Sequence, residues 1–167
     1  MITTITYYPD LGVSINDIAI NWGTDRFIIR QLLANQHKES NSITDLSEFH
    51  NGSNEYNIIQ RRDIYENYQG HDNYFFFNYD KDDTLKEIEI HNGMEISVIG
   101  TKLSFDKDFQ ENVSLLKNIS TDNRQVSNGE HFFKDLKLTI ADNESMGGED
   151  SVLSYFYCAN NVDHLCN

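Results

Sequence analysis

The chain has 167 residues, the size of one domain, and its 27 acidic against 13 basic side chains give a formal charge of −14. This charge argues against direct binding to nucleic acid or to an anionic membrane, because both need a basic face. Hydrophobic residues make up 38% of the chain, enough to fill one core and too many for a disordered acidic tail. We therefore expect a single domain over residues 1–167.

The sequence also bears on the expected compartment. No apolar run reaches the roughly 18 residues of a membrane-spanning helix. The N-terminus lacks the basic and apolar regions of a secretory signal. We expect a cytoplasmic protein in which Cys158 and Cys166 are free thiols, since cytosolic disulfides are rare.

The N-terminal part predicts one short strand and then a long helical segment. Ile5 and Tyr7 alternate with polar residues, as in a half-buried strand. Over residues 14–37 the apolar residues follow helical spacing, and Gly23 is the expected interruption. Residues 39–55 are rich in Ser and Asn and predict a loop or a short edge hairpin. The apolar positions in the second part of the helical segment are Phe27, Ile28, Leu32 and Leu33.

From residue 58 onward, the period of the apolar residues changes to two. Residues 58–68 and 74–79 predict strands, and a third strand is expected over 85–90. The dipeptide Asn92-Gly93 is typical of a type I′ turn, so it predicts a hairpin whose return strand starts over 94–98.

A second helix is predicted over 106–119, followed by strands over 136–140 and 152–159. The fold class that results is α+β, with antiparallel sheets of hairpin-connected strands, one long N-terminal helical segment and a second, shorter helix. Two helix-plus-hairpin halves, about 12–105 and 106–160, leave a structural duplication open.

Glu87, Glu89 and His91 lie at alternate positions of one predicted strand, so all three would project from the same face. That arrangement could hold a metal ion and support a metal-dependent enzyme. The interpretation we favour is the solvated face of a strand whose other side is apolar. No nucleotide-binding, hydrolase or zinc-protease motif occurs, so we expect a protein that is not an enzyme and has no cofactor.

Two further groups of residues could carry chemistry. Arg61–Asp63 could clamp a phosphate or a carboxylate, although internal ion pairs with the many carboxylates of the chain are favoured. Cys158, Asp163 and His164 include the residue types of a nucleophilic triad. Adjacency in sequence does not make a triad, and a cysteine in a core strand is usually inert.

Carboxylates concentrate in two predicted segments, the 80–89 hairpin and the 142–150 loop. The aspartates of residues 80–83 lack the glycine and glutamate spacing of a calcium-binding EF-hand, so we interpret them as a charged turn. Acidic loops near tyrosines fit a surface for a basic partner, although such charges can also serve solubility alone. The candidate partner-binding residues are Asp80, Asp82, Asp83, Glu87, Glu89, Asp142, Glu144, Glu149, Asp150 and Tyr155.

One set of motifs runs along most of the chain. Its members are Gly12–Ile15, Trp22–Thr24 with Arg26, Arg61–Tyr65, Phe75–Tyr79, Leu85–Glu89 with His91, Gly147–Glu149 and Tyr155–Ala159. Together these motifs resemble a family of small bacterial immunity proteins from contact-dependent growth inhibition and related polymorphic toxin systems. The resemblance does not imply individual contact residues, because such interfaces diverge with each toxin.

The resemblance implies a protein that binds the C-terminal domain of a cognate toxin and neutralises it without catalysis. A basic nuclease, above all an RNase, is the expected toxin, since a nuclease cleft must bind a polyanion and an acidic domain can cap it. Two alternatives stay open: an acidic mimic of nucleic acid that binds a host protein, and the metal-dependent enzyme described above.

Overall fold

The computed structural model describes residues 2–166. Within these residues the chain folds mainly into β-strands, which form two sheets. The strands are β1 (Thr3–Tyr8), β2 (Gly12–Ile15), β3 (Ile18–Asn21), β4 (Lys38–Thr44), β5 (Ile58–Glu66), β6 (Tyr74–Tyr79), β7 (Leu85–Asn92), β8 (Met94–Val98), β9 (Thr101–Leu103), β10 (Asn123–Ser127), β11 (Glu130–Phe133), β12 (Leu138–Asp142) and β13 (Leu153–Ala159).

The two sheets pack face to face as a sandwich. The smaller sheet has the order β3-β2-β1-β8-β9, and its β1–β8 pair is parallel. The larger sheet has the order β10-β11-β12-β13-β7-β6-β5-β4, and its pairs are antiparallel. The Tyr7 hydroxyl on β1 donates to the Leu136 carbonyl oxygen at 2.9 Å, and the Tyr7 ring meets Phe156 of β13 edge-on. One core of buried residues therefore includes side chains from both sheets.

Two short α-helices flank the sandwich, and aspartates cap both. Asp25 accepts a hydrogen bond from the Phe27 N–H at 2.8 Å, and Asp108 accepts one from the Gln110 N–H at 2.8 Å. In the described part of the chain, no helix has the length and apolar character needed to cross a bilayer. The α-helices are α1 (Arg26–Leu32) and α2 (Phe109–Lys117), and the 3-10 turns are Ser47–Phe49, Asn54–Tyr56, Tyr68–Gly70 and Asp163–Leu165.

The expectation of an α+β fold with a long N-terminal helical segment is wrong. Residues 12–21 form the β2–β3 hairpin, and α1 is the helical part of the predicted segment. The two turn residues, Asn16 and Asp17, have φ angles of 45° and 67°, the left-handed values of a type I′ turn that Asn and Asp tolerate. The apolar spacing fits both a helix and a two-stranded hairpin, and burial of Val13 and Ile20 in the core selects the hairpin.

The hairpin predicted at Asn92-Gly93 does not form either. β7 belongs to the larger sheet, whereas β8 belongs to the smaller sheet and lies parallel to β1. The chain crosses between the sheets at Gly93, where φ is +70° and a Cβ atom would overlap the carbonyl oxygen of Asp72. Glycine is required at this position by the close approach of two backbone segments, and not by a two-residue turn.

Candidate functional site

The two predicted acidic segments lie at opposite ends of the larger sheet. Leu153, at the start of β13, pairs with Asp142, whereas Ala159, at its end, pairs with Glu87. At about 3.3 Å per residue, these two ends of β13 are roughly 20 Å apart. The candidate residues therefore do not form one continuous patch, and each end has to be considered separately.

At the end formed by the β6–β7 turn, most of the carboxylates are used within the chain. Asp80 accepts hydrogen bonds from the N–H groups of Asp82 and Thr84, both at 2.9 Å, and from the Thr84 hydroxyl at 2.8 Å. Asp83 pairs with Arg61 at 3.0 Å. The Asp82 carboxylate is exposed and has no ion pair among the described residues. Asp80 and Asp83 therefore shape the turn, and Asp82 is its free charge.

At the opposite end, the β12–β13 loop shows the same division of roles. Asp142 is buried and accepts a hydrogen bond from the Ser145 N–H at 2.8 Å. Asp150 accepts one backbone N–H of the same loop at 3.3 Å. Glu144 and Glu149 are exposed, and within residues 2–166 neither forms an ion pair. These two glutamates, together with the exposed Asp150, are the charges of this end that no cation of the described residues balances.

Between the two ends, the outer face of the larger sheet carries a polar cluster centred on Glu89. The Glu89 carboxylate accepts hydrogen bonds from Arg62 and Asn78, each at 2.6 Å, and from the Tyr155 hydroxyl at 3.3 Å. The Arg62 guanidinium also lies 4.5 Å from the centre of the Phe76 ring. Neighbouring strands β5, β6, β7 and β13 supply these side chains, and strand alternation places them on one face. The candidates Glu89 and Tyr155 thus meet, and Arg62 and Asn78 are the further partners of Glu89.

His91 adjoins this cluster without completing a metal site. Its Nε2 lies 3.8 Å from the Glu89 carboxylate, too far for a hydrogen bond. Glu87 pairs instead with its neighbouring lysine at 3.4 Å. In the part of the chain that the structure describes, no three His, Cys, Asp or Glu residues are grouped so that they could hold a metal ion. The cation beside Glu89 is the Arg62 guanidinium.

The surroundings of this cluster set its charge states. Burial would raise the pKa of Glu89, but the neighbouring His91, the Asn78 amide and the Arg62 charge outweigh burial and lower that pKa. Burial and the adjacent Glu89 carboxylate raise the pKa of Tyr155. At neutral pH the cluster therefore contains a carboxylate, a guanidinium and a neutral phenol that hydrogen-bond and pair with one another.

The internal ion pairs favoured for Arg61–Asp63 are confirmed. Asp63 is fully buried beneath α1, where its carboxylate pairs with Arg26 at 2.6 Å and with Arg30 at 2.7 Å. Burial would raise the pKa of Asp63, but the two arginines outweigh burial and hold that pKa below its ordinary value. Arg61 pairs with Asp83, and Arg62 pairs with Glu89. These arginines are therefore occupied by groups of the same chain.

Cys158, Asp163 and His164 do not form a triad. Cys158 is fully buried in the core between the sheets, and burial raises the pKa of its thiol well above the ordinary value. A ring nitrogen of His164 lies 3.4 Å from the hydroxyl of Tyr157, on the other face of the same strand. The thiol and the imidazole therefore face different sides of the larger sheet.

Sequence reasoning missed a concentration of exposed apolar side chains. Of 14 large hydrophobic residues exposed in the described chain, 8 lie in residues 27–59. Ile29 of α1 and Leu33 at its C-terminal cap are buried, and the other apolar side chains of α1 face solvent. Apolar residues on both sides of one short helix were the available signal. The eight exposed residues are Phe27, Ile28, Leu32, Ile43, Phe49, Tyr56, Ile58 and Ile59.

Two kinds of surface are thus open to a partner: free carboxylates at the ends of the larger sheet, and the apolar side chains of residues 27–59. Comparison of this chain with protein-family models, with curated proteins and with solved structures gives no match. These surfaces and the net charge of the chain are therefore the features that bear on its function.

Proposed function

We propose that this protein is an immunity protein that acts in the cytoplasm, where it binds a basic toxin domain and neutralises it stoichiometrically. The observation that supports the proposal is a set of exposed carboxylates without ion-pair partners among the described residues, Asp82, Glu144 and Glu149, on a chain of net charge −14. A nuclease domain, with an RNase favoured, presents a basic cleft because its substrate is a polyanion. Free carboxylates are the groups that such a cleft attracts.

The motifs that resemble the immunity family add a second, independent line of support. They include Arg61–Tyr65, Phe75–Tyr79 and Leu85–Glu89. In the structure these three runs lie on the adjacent strands β5, β6 and β7. The polar groups of this region pair with one another and link the three strands and the β6–β7 turn.

Protection of a cell requires fast capture of the toxin and slow release. Electrostatic steering can raise the association rate constant toward about 10⁸–10⁹ M⁻¹s⁻¹ at low salt. A nanomolar complex needs a binding free energy of about −12 kcal/mol. Long-range charge supplies the rate of capture, whereas slow release requires side chains that are buried in the interface.

The proposal predicts that the gene immediately upstream of the one for this protein encodes the C-terminal domain of the toxin, and the test uses that domain. That domain is expressed in cells with and without this protein, and the purified pair is titrated at about 50 mM and about 500 mM salt. We expect rescue of growth, a one-to-one complex, and an association rate constant that falls as salt increases. No rescue together with no binding would refute the proposal.

A panel of unrelated basic ribonucleases provides the control for specificity. An immunity protein should bind its cognate toxin at least about a thousandfold more tightly than these enzymes, because specificity is a difference between affinities. Similar binding to every basic protein in the panel would instead identify the chain as an acidic mimic of nucleic acid.

A further inference from the structure

The strands β4 and β5 continue past the end of β6 as a two-stranded arm. The last residue pair between β5 and β6 is Arg61 with Tyr79, whereas β5 begins before this pair and there pairs with β4. We name residues 42–60 the arm. At its tip, the Leu46 N–H donates to the side-chain oxygen of Asn57 at 2.8 Å, which joins the two sides of the loop.

The arm turns its apolar side chains outward. Ile43 and Ile59 are directly paired across β4 and β5, yet they remain 68% and 54% exposed. Phe49, in the 3-10 turn at the tip, is 80% exposed. Scattered exposed hydrophobic residues are ordinary, but a concentration of them in one segment marks an interaction site.

The apolar pair of the arm lies on the same side of the larger sheet as α1. Asn41 precedes Ile43 by two residues, so the two side chains share a face of β4. The Asn41 side chain accepts a hydrogen bond from Arg26 of α1 at 3.0 Å. α1 lies on this side of the sheet, and its side chains Phe27 and Ile28 are exposed.

The arm is acidic and contains no compensating cation. From Glu39 to Gln60 the sequence has no Lys or Arg. Asp45, Glu48 and Glu55 are exposed, and within the described residues none of the three forms an ion pair. The apolar side chains are therefore surrounded by uncompensated negative charge, which fits a partner with basic residues around an apolar patch.

We propose that the arm, with the adjoining exposed side of α1, is the anchor by which this protein docks on the basic toxin domain. This inference rests on the proposed function and names the surface that supplies slow release. Ile43, Ile59 and Phe49 are buried at the centre of the interface, and the carboxylates of the arm face basic residues at its rim. A second copy of this chain is a poor occupant, because two arms without cations repel each other.

The test replaces exposed apolar side chains by polar ones of similar shape or smaller. The arm variant carries Ile43→Thr, Phe49→Ser and Ile59→Thr, which leaves the charge unchanged. The matched control variant makes the same kinds of change at positions that are about as exposed but lie elsewhere. Its substitutions are Ile2→Thr, Leu11→Ser and Val126→Thr, at side chains that are 59%, 62% and 53% exposed.

Binding of both variants to the upstream-encoded toxin domain is measured by surface plasmon resonance. We expect the arm variant to raise Kd by about thirtyfold or more, through faster dissociation, since truncation of anchor residues acts mainly on that rate. Its association rate constant should stay within about twofold of wild type because its charge is unchanged. The control variant should bind as wild type does.

The outcomes separate the two proposals. If the wild-type protein does not bind the toxin domain, both the proposed function and the proposed anchor are refuted. If wild type binds and the arm variant binds equally well, the anchor alone is refuted. Circular dichroism checks that the arm variant is folded. If the triple variant does not fold, the single variant Phe49→Ser is measured in its place. A wild-type dimer in light scattering that the arm variant converts to monomer would also refute the anchor and assign the arm to self-association.

Discussion

Asp63 is a fully buried carboxylate whose charge is held by Arg26 and Arg30. Because its pKa in the folded chain is below the unfolded value of about 3.9, its ionised form stabilises the fold at any pH above that value. This contribution is lost as the pH falls from about 4 toward the folded pKa. We therefore expect the free energy of unfolding, measured by urea denaturation, to decrease steeply as the pH is lowered below about 4.

Two substitutions around Arg30 test whether burial is the source of this effect. Asp63→Asn removes the buried carboxylate that pairs with both Arg26 and Arg30, and it leaves these arginines only the more exposed Asp83 and Glu39. It should cost about 3–5 kcal/mol, with a shallower decline of stability in acid. Glu39 also pairs with Arg30, at 2.5 Å, but its side chain is 52% exposed, so Glu39→Gln should cost far less. If both variants lost the same free energy of unfolding, burial of the Asp63 carboxylate would not be the source of its contribution.

Gly93 links the two sheets, and its conformation decides the path of the chain between β7 and β8. Gly93→Ala should destabilise the protein by at least about 3 kcal/mol, because a methyl group would collide with the Asp72 backbone and φ is +70°. Gly70 has a similar φ of +75° but no atom within 4 Å of an added Cβ. Gly70→Ala should therefore cost only about 1 kcal/mol, the strain of φ alone. Urea denaturation measures the free energy of unfolding of both variants. A similar decrease in the two would contradict the crowding at Gly93.

Local pattern predicts individual elements but not their partners. The strand predicted over 74–79 is β6 with the same bounds, and α2 lies within the helix predicted over 106–119. The apolar residues of 12–21 suit either a helix or a hairpin, and only contact with the other sheet decides between them. Asn92-Gly93 has the composition of a turn, but the return strand finds a more distant partner, β1. Pairing across long sequence separations is not encoded in local periodicity.

In the candidate site too, local pattern predicts the face of a strand but not the partners of its side chains. The face shared by Glu87, Glu89 and His91 could be predicted from alternation along one strand, and the structure keeps all three on it. The pairing of Glu89 with Arg62 and Asn78 depends on the register of three strands and could not be predicted. The apolar arm was hidden for a different reason, since its Ser-rich and Asn-rich composition is typical of an ordinary loop.

Carboxylates are spread over the whole molecule, but a partner protein contacts them at one end of the larger sheet. The arm and the β6–β7 turn lie at one end of the larger sheet, and the β12–β13 loop lies at the other. Over roughly 20 Å, screening at physiological salt is nearly complete, since the Debye length is about 8 Å. Carboxylates at the end that contacts the toxin should therefore govern the association rate, although every carboxylate adds to the net charge of −14.

Two double variants separate local charge from net charge. Glu48→Lys with Glu55→Lys reverses charges on the arm, and Glu144→Lys with Glu149→Lys reverses charges at the far end; each pair changes the net charge from −14 to about −10. In stopped-flow mixing with the toxin domain at about 150 mM salt, where the Debye length is about 8 Å, the arm pair should slow association by about tenfold or more, and the far pair by less than about threefold. The difference should shrink at high salt, where steering by either end is screened. Equal slowing by the two pairs would mean that net charge alone steers the encounter, and greater slowing by the far pair would place the contact at the β12–β13 loop.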